Sequence, residues 1–184
     1  MKINRYGQAT ILTPKELDYL CDSLPGAHRT CAYILRFTAC RVSEGLSLQW
    51  KFISNSSILF PGPITKTKCS RQVPINVRLK EVLQDWKSSF DLPVKGHQYV
   101  IPGKYQGEHM TRQNFDYQLR KTCKELGFEG CSTHSFRRSS ITELSRNSIP
   151  LATIKSITGH KQLSALQLYV EVQESEQLMA LNAL

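Results

Sequence analysis

His134-Ser135-Phe136-Arg137, then Gly159-His160, then Leu166-Gln167-Leu168-Tyr169-Val170 set the frame for this chain of 184 residues. His134 and Arg137 stand at i and i+3, so a helix makes them neighbours on one face. Ser132 or Thr133 can cap that helix, which places both side chains on its first turn, where the helix dipole favours an anion. His160 follows Arg137 by 23 positions, and Tyr169 follows His160 by nine. Helical periodicity around 134–147, 150–157 and 162–171 carries these residues, with Gly159-His160 between the second and third stretches.

Outward from this frame, the first half shows a different rhythm. Thr13-Pro14-Lys15-Glu16 combines a capping hydroxyl, a proline at the first helical position and a glutamate that completes a capping box. Leu17, Leu20, Cys21 and Leu24 then share a face, and Pro25-Gly26 ends that helix. Further helices are predicted over Arg29–Thr38, Val42–Leu48, Val77–Phe90 and Thr111–Leu126. Ser57-Ile58-Leu59-Phe60 and Arg71-Gln72-Val73-Pro74-Ile75 read as strands, joined through the basic tip Thr65-Lys66-Thr67-Lys68. A loop region spans about 91–110. The expected fold class is α+β: mostly helical, with a small antiparallel β-sheet. Residues 1–12 read as an N-terminal tail or arm. Residues 13–172 form the main domain, and 173–184, with Leu178, Leu181 and Leu184 near helical spacing, form a C-terminal tail helix.

Composition narrows the partners. The formal net charge is +9, which favours a polyanion such as nucleic acid, since each cation placed on a phosphate releases condensed counterions. A hydrophobic content of 40% excludes a mostly disordered chain. Six cysteines occur with no C-x-x-C pair, so metal-site spacing is absent. No apolar run approaches the roughly 18 residues of a membrane helix, and no secretory signal opens the chain. These features predict a cytoplasmic, reducing setting with free thiols and no membrane association.

Taken singly, each polar motif has a bland explanation. H-x-x-R is common, Gly-His can be a helix C-cap with a polar turn residue, and Tyr169 can be a half-buried core aromatic. Arg41 and Glu44, within Thr38-Ala39-Cys40-Arg41-Val42-Ser43-Glu44, can form an i,i+3 pair on a solvated helix.

Together, however, they follow a fixed order: R-x-S-E, a lysine in a β-turn, H-x-x-R, G-H, and a tyrosine nine residues later. In this order and spacing, from about Thr13 to Val172, the chain resembles the catalytic domain of the tyrosine recombinases (phage-integrase type). The resemblance implies a site-specific DNA recombinase that cuts and rejoins double-stranded DNA through a 3′-phosphotyrosyl intermediate. By this resemblance Tyr169 would be the nucleophile, Arg41 and Arg137 would hold the non-bridging phosphate oxygens, and His160 would donate a further hydrogen bond. Lys66 would protonate the departing 5′-oxygen, with Lys68 as the alternative, and His134 would assist proton movement at the tyrosine. Glu44 gives orienting support. Such chemistry uses no cofactor, metal or ATP, because the covalent link keeps the energy of the phosphate bond. Lys68, Arg71, Arg112, Arg120, Arg138 and Lys161 are candidate contacts to the DNA backbone.

The family further implies a homotetramer on paired DNA sites, with the C-terminal tail exchanged between protomers. Two departures stand out. The family commonly has Gly where this chain has Ala39, a change tolerated if φ there is below zero. Most members also carry an N-terminal clamp domain, whereas about twelve residues precede this one. That fits a stand-alone form resembling the fimbrial-switch recombinases, favoured by Met1 and an uninterrupted start, or a fragment. An accessory DNA-bending or DNA-clamping protein would make up the missing affinity. A type IB topoisomerase-like strand transferase and a catalytically idle DNA-binding regulator are the competing readings.

Overall fold

Helix α2 (Gly26–Thr38) is the axis on which the rest is hung. Cys31, Ala32, Tyr33, Ile34 and Leu35 are all fully buried, so the middle of this helix is covered on every side, while His28, Arg29 and Arg36 stay partly exposed. In the computed structural model, which describes residues 7–167, 169 and 181–182, α2 packs against α1 (Pro14–Ser23), α3 (Val42–Leu46), α4 (Val77–Ser88), α5 (Arg112–Glu125) and α6 (Thr133–Arg146). Fully burying one such side chain contributes roughly 1.5–3 kcal/mol.

Local sequence explains most element starts. The Thr13–Glu16 capping box forms as its residues predict, with Pro14 at the first helical position. Asn76 caps α4, Thr111 caps α5 and Ser132 caps α6. Two boundaries shift for tertiary or unmarked reasons. α2 begins at Gly26 and not Arg29, because His28 and Arg29 donate to the carbonyl of Pro25, with no capping side chain to mark the spot. α3 stops at Leu46 and not Leu48, because Val100 N–H takes the carbonyl of Leu48 and Gln49 bridges to Tyr99.

Strands β1 (Ser57–Phe60) and β2 (Arg71–Pro74) pair antiparallel, with Ile58 opposite Val73 and Phe60 opposite Arg71. Ile58, Phe60 and Val73 face the core, and the tip with Lys66 and Lys68 projects into solvent. α7 (Leu151–Thr158) contacts both β2 and α6. α8 (Ser164–Gln167) then brings Leu166 into a small second cluster with Ala39, Ile141 and Ile154, against which Tyr169 packs.

One expectation is corrected here. Ala39 has φ +46°, left-handed backbone at the end of α2, where a φ below zero was the condition for tolerating alanine. The site imposes it: Arg137 Nη1 donates to the Ala39 carbonyl at 2.5 Å, fixing the direction of that peptide. The described part of the N-terminal segment, expected as a tail or an arm, packs against the main body. Thr10 N–H donates to the Gly130 carbonyl, Leu12 N–H donates to Ser139 Oγ at 2.8 Å, and Ala9 and Leu12 are buried. The tail helix expected over 173–184 lies outside the described residues except for the exposed Leu181 and its neighbour Asn182.

Candidate active site

A cleft of about 390 Å³ is lined by Arg41, His134, Arg137, His160 and Tyr169. These are five of the six residues that the motifs single out, drawn from positions as far apart as 41 and 169. Lys66 does not line it; it sits exposed on the hairpin tip. Ser132, Arg138 and the backbone segment Gly7–Ala9 complete the walls, and none of these but Arg138 was anticipated.

Arg137 is the structural centre. It is 6% exposed, and its Nη1 donates to two carbonyls, Ala39 at 2.5 Å and Thr158 at 3.0 Å. One guanidinium thus ties the end of α2 to the end of α7. Its Nη2 lies 3.2 Å and 3.0 Å from the two ring nitrogens of His160. Near-equal distances to both nitrogens put Nη2 over the imidazole and out of line with either lone pair. None of these partners is anionic. Burial, and then Arg41 nearby, push the Arg137 pKa down to about 10, the mark of a cation in want of a counter-charge.

The one carboxylate in this group is already taken. Glu44 is fully buried and receives Arg71 Nη2 at 2.6 Å and Arg41 Nη1 at 3.2 Å, while its other contact is the Arg41 backbone N–H. Burial works against its charge, but Arg71 and Arg41 outweigh it and hold the carboxyl below its ordinary range. The solvated ion pair that Arg41 and Glu44 could form is therefore an interior one. In this network three guanidiniums (Arg41, Arg71, Arg137) face the single Glu44 carboxylate, so positive charge is in excess beside the cleft. An anion entering between Arg41 and Arg137 relieves that excess, and the guanidinium fork suits a tetrahedral oxyanion.

His160 follows Gly159, whose φ of +69° closes α7 in a left-handed cap. Its ring is held by Thr158, with Oγ1 2.7 Å from Nδ1. Burial first, then Arg137, Arg41 and Arg71, push its pKa down to about 4, so the imidazole is neutral at pH 7. His134, on the first turn of α6, is exposed at the mouth of the cleft. Arg138 reaches the other way. Its Nη1 donates to the Ala9 carbonyl at 2.5 Å, and its guanidinium lies 5.9 Å from the centre of the Tyr169 ring.

The candidate DNA-backbone cations are placed unequally. Lys68, Arg112 and Lys161 are exposed, and Arg120 is paired with Asp116 one turn away on α5. Arg71 is corrected: it is a buried support and no surface cation. Besides Glu44, it donates from Nε to the Ile157 carbonyl at 3.0 Å and lies 4.3 Å from the centre of the Phe60 ring. A signal for this was available. Strand alternation puts Arg71 on the same face as Val73, and that face is the core. Thr158 was missed as well; a hydroxyl at the end of an apolar helix, two residues before His160, is the trace it leaves in the sequence.

A helical body with one hairpin, and a cleft joining arginines from α6 and the start of α3, is the architecture of a tyrosine-recombinase catalytic domain. Residues 11–176 match the phage integrase family, and the chain belongs to that family. It is 31% identical over 147 residues to tyrosine recombinase XerC of Pediococcus pentosaceus, covering 76% of this chain and 48% of that protein. It is 28% identical over 179 residues to XerD of Chlamydia trachomatis, covering 89% of this chain and 58% of that one. The chain thus spans about half the length of the curated relatives it matches. In fold it is similar to the catalytic domain of bacteriophage HP1 integrase, with TM-score 0.69, 19% identity and 95% of each chain covered. It is also similar to XerH bound to its difH substrate, with TM-score 0.74, 21% identity, and 97% of this chain and 55% of that one covered. Among the described residues, no helix is long and apolar enough to cross a membrane, and no group of three or more His, Cys, Asp or Glu side chains could hold a metal ion.

Proposed function

We propose that this protein is a site-specific DNA recombinase in which Tyr169 attacks a scissile phosphate. The supporting observation is the convergence of Arg41, His134, Arg137, His160 and Tyr169 on one cleft with surplus positive charge. The Tyr169 oxygen bonds to phosphorus as the bond to the 5′-oxygen breaks, giving a 3′-phosphotyrosyl link and a free 5′-hydroxyl. The tyrosine proton passes toward His134, and the leaving oxygen takes a proton from Lys66. Arg41, Arg137 and His160 stabilise the charge that develops on the non-bridging oxygens. Rejoining is the reverse step, with the 5′-hydroxyl of another strand as nucleophile.

In this reading residues 13–172 are the catalytic domain, Glu44 orients Arg41, and Lys68, Arg112, Arg120, Arg138 and Lys161 meet the DNA backbone. The assembly is a homotetramer on two paired sites, with residues 173–184 exchanged between protomers and a DNA-bending or DNA-clamping partner adding affinity. The setting is the cytoplasm.

The test is a covalent trap. Native protein and Tyr169→Phe are incubated with nicked suicide duplexes drawn from DNA flanking the gene, then resolved on a denaturing gel. An adduct with the native protein that is absent from the variant supports the reading. Salt-sensitive DNA binding without an adduct, even when a DNA-clamping extract is supplied, favours an idle DNA-binding protein. Relaxation of a one-site plasmid by a monomer, with no joining of two sites, favours a topoisomerase-like enzyme.

A further inference from the structure

Thr158 is buried completely, yet its hydroxyl has two partners to choose between. Oγ1 lies 2.8 Å from the carbonyl of Ile154, one turn back in α7, and 2.7 Å from His160 Nδ1. A hydroxyl has one proton, so it can donate to only one of them. If it donates to Ile154, a bond to His160 requires the proton on Nδ1, and the neutral ring then carries a bare lone pair on Nε2. If it donates to Nδ1, the neutral ring carries its proton on Nε2. The Ile154 carbonyl loses little by this, since it keeps its helical N–H partner.

The difference decides what His160 can do. A lone pair on Nε2 repels a phosphate oxygen, whereas an N–H there donates to it. The imidazole cannot easily gain both protons, because Arg137, Arg41 and Arg71 surround it. We propose that Thr158 is a positioning residue that selects the tautomer of His160. By turning its hydroxyl from the Ile154 carbonyl to Nδ1 it makes a neutral imidazole a hydrogen-bond donor to the scissile phosphate. This rests on the phosphoryl-transfer reading of the cleft. It adds that His160 acts without taking on a net charge, and that the switch costs one hydroxyl rotation with no heavy atom moving.

Thr158→Val keeps the shape and removes the hydroxyl; Thr158→Ser keeps the hydroxyl. On a nicked suicide duplex, Thr158→Val is expected to slow single-turnover adduct formation by about ten- to a hundredfold, by analogy with the loss of a partner that orients a metal-ligating imidazole. DNA affinity should change little, and Thr158→Ser should recover most of the rate. Nitrogen-15 histidine spectra supply the readout that a merely structural role would not move. In the Tyr169→Phe protein bound to the duplex, His160 should show the neutral ring protonated on Nε2, and adding Thr158→Val should abolish that pattern. A native rate in Thr158→Val, or a doubly protonated His160 in the complex, overturns the proposal. If the native protein forms no adduct at all, the function reading fails separately. The free protein then still decides the Thr158 link: a His160 Nδ1 resonance unmoved by Thr158→Val overturns it.

Discussion

Arg71 Nη2 donates to Glu44 Oε2 at 2.6 Å in the interior, joining the start of β2 to the first turn of α3. Because Glu44 also holds Arg41, and Arg71 also holds the Ile157 carbonyl, this one pair links the hairpin, the first arginine and the helix that ends before His160. Removing one member of a buried pair leaves the other charge stranded, which costs about 3–5 kcal/mol. Arg71→Ala is therefore expected to lower the unfolding free energy by that order, and Glu44→Gln to partly offset the loss when the two are combined. Chemical denaturation of the two single variants and the double variant measures the coupling. Strictly additive losses would remove the pair from its proposed structural role.

Gly159 lies directly against Arg71. A Cβ on Gly159 would meet Arg71 Cδ at 3.0 Å, and the backbone φ there is +69°. Left-handed backbone costs an L-residue about 1–2 kcal/mol, and the contact displaces the guanidinium that neutralises Glu44. Gly159→Ala should lower Tm by roughly 2–8 °C, at about 2–4 °C per kcal/mol for a chain of this size. It should also slow adduct formation on a suicide duplex. An unchanged Tm in a thermal scan would show that the backbone and Arg71 relax at no cost.

Acid should destabilise the DNA-free protein through His160. Its pKa is about 4 when folded against an ordinary 6.5, so between those values the unfolded chain binds a proton that the folded protein refuses. Stability then falls as pH drops from about 6.5 toward 4, and it is unaffected by this group above that window. Glu44, whose pKa is lowered, adds a further loss as pH falls below its ordinary 4.5. Denaturation midpoints measured from pH 7.5 to 4.5 should slope less in His160→Asn than in the native protein. Parallel slopes would mean that the ring is not held neutral.

Lys66 and Lys68 stand two apart on the same exposed tip, and only chemistry separates them. If Lys66 protonates the leaving 5′-oxygen, Lys66→Ala should slow cleavage by about 10²- to 10⁴-fold, the usual weight of a general acid. Replacing the 5′-bridging oxygen with sulfur, a leaving group that needs no proton, should restore the rate. Lys68→Ala should cleave both substrates nearly as the native protein does. The opposite pattern would transfer the role to Lys68. Lys68 has φ +58°, so Lys68→Gly tests the same residue while relieving backbone strain.

Much of the candidate site was legible because it rests on local rules. A capping serine and an i,i+3 spacing put His134 and Arg137 on one helical turn, and glycine after α7 predicts the cap from which His160 emerges. The same rules misjudged Ala39, whose left-handed φ answers to Arg137, 98 positions away. They left Arg71 on the surface list, although period-two alternation with Val73 places it inward.

The sequence by itself determined the helical periods and the strand alternation, because each depends on residues within a turn or a strand of one another, and it carried the net positive charge and the order of the motifs directly in its composition and numbering. Only the tertiary structure decided which charges are buried and what they hold. Glu44 meets Arg71 across 27 positions, and Arg138 meets the Ala9 carbonyl across 129. Burial and electrostatic pairing depend on distance in space, and no local pattern records which distant groups the folded core brings together.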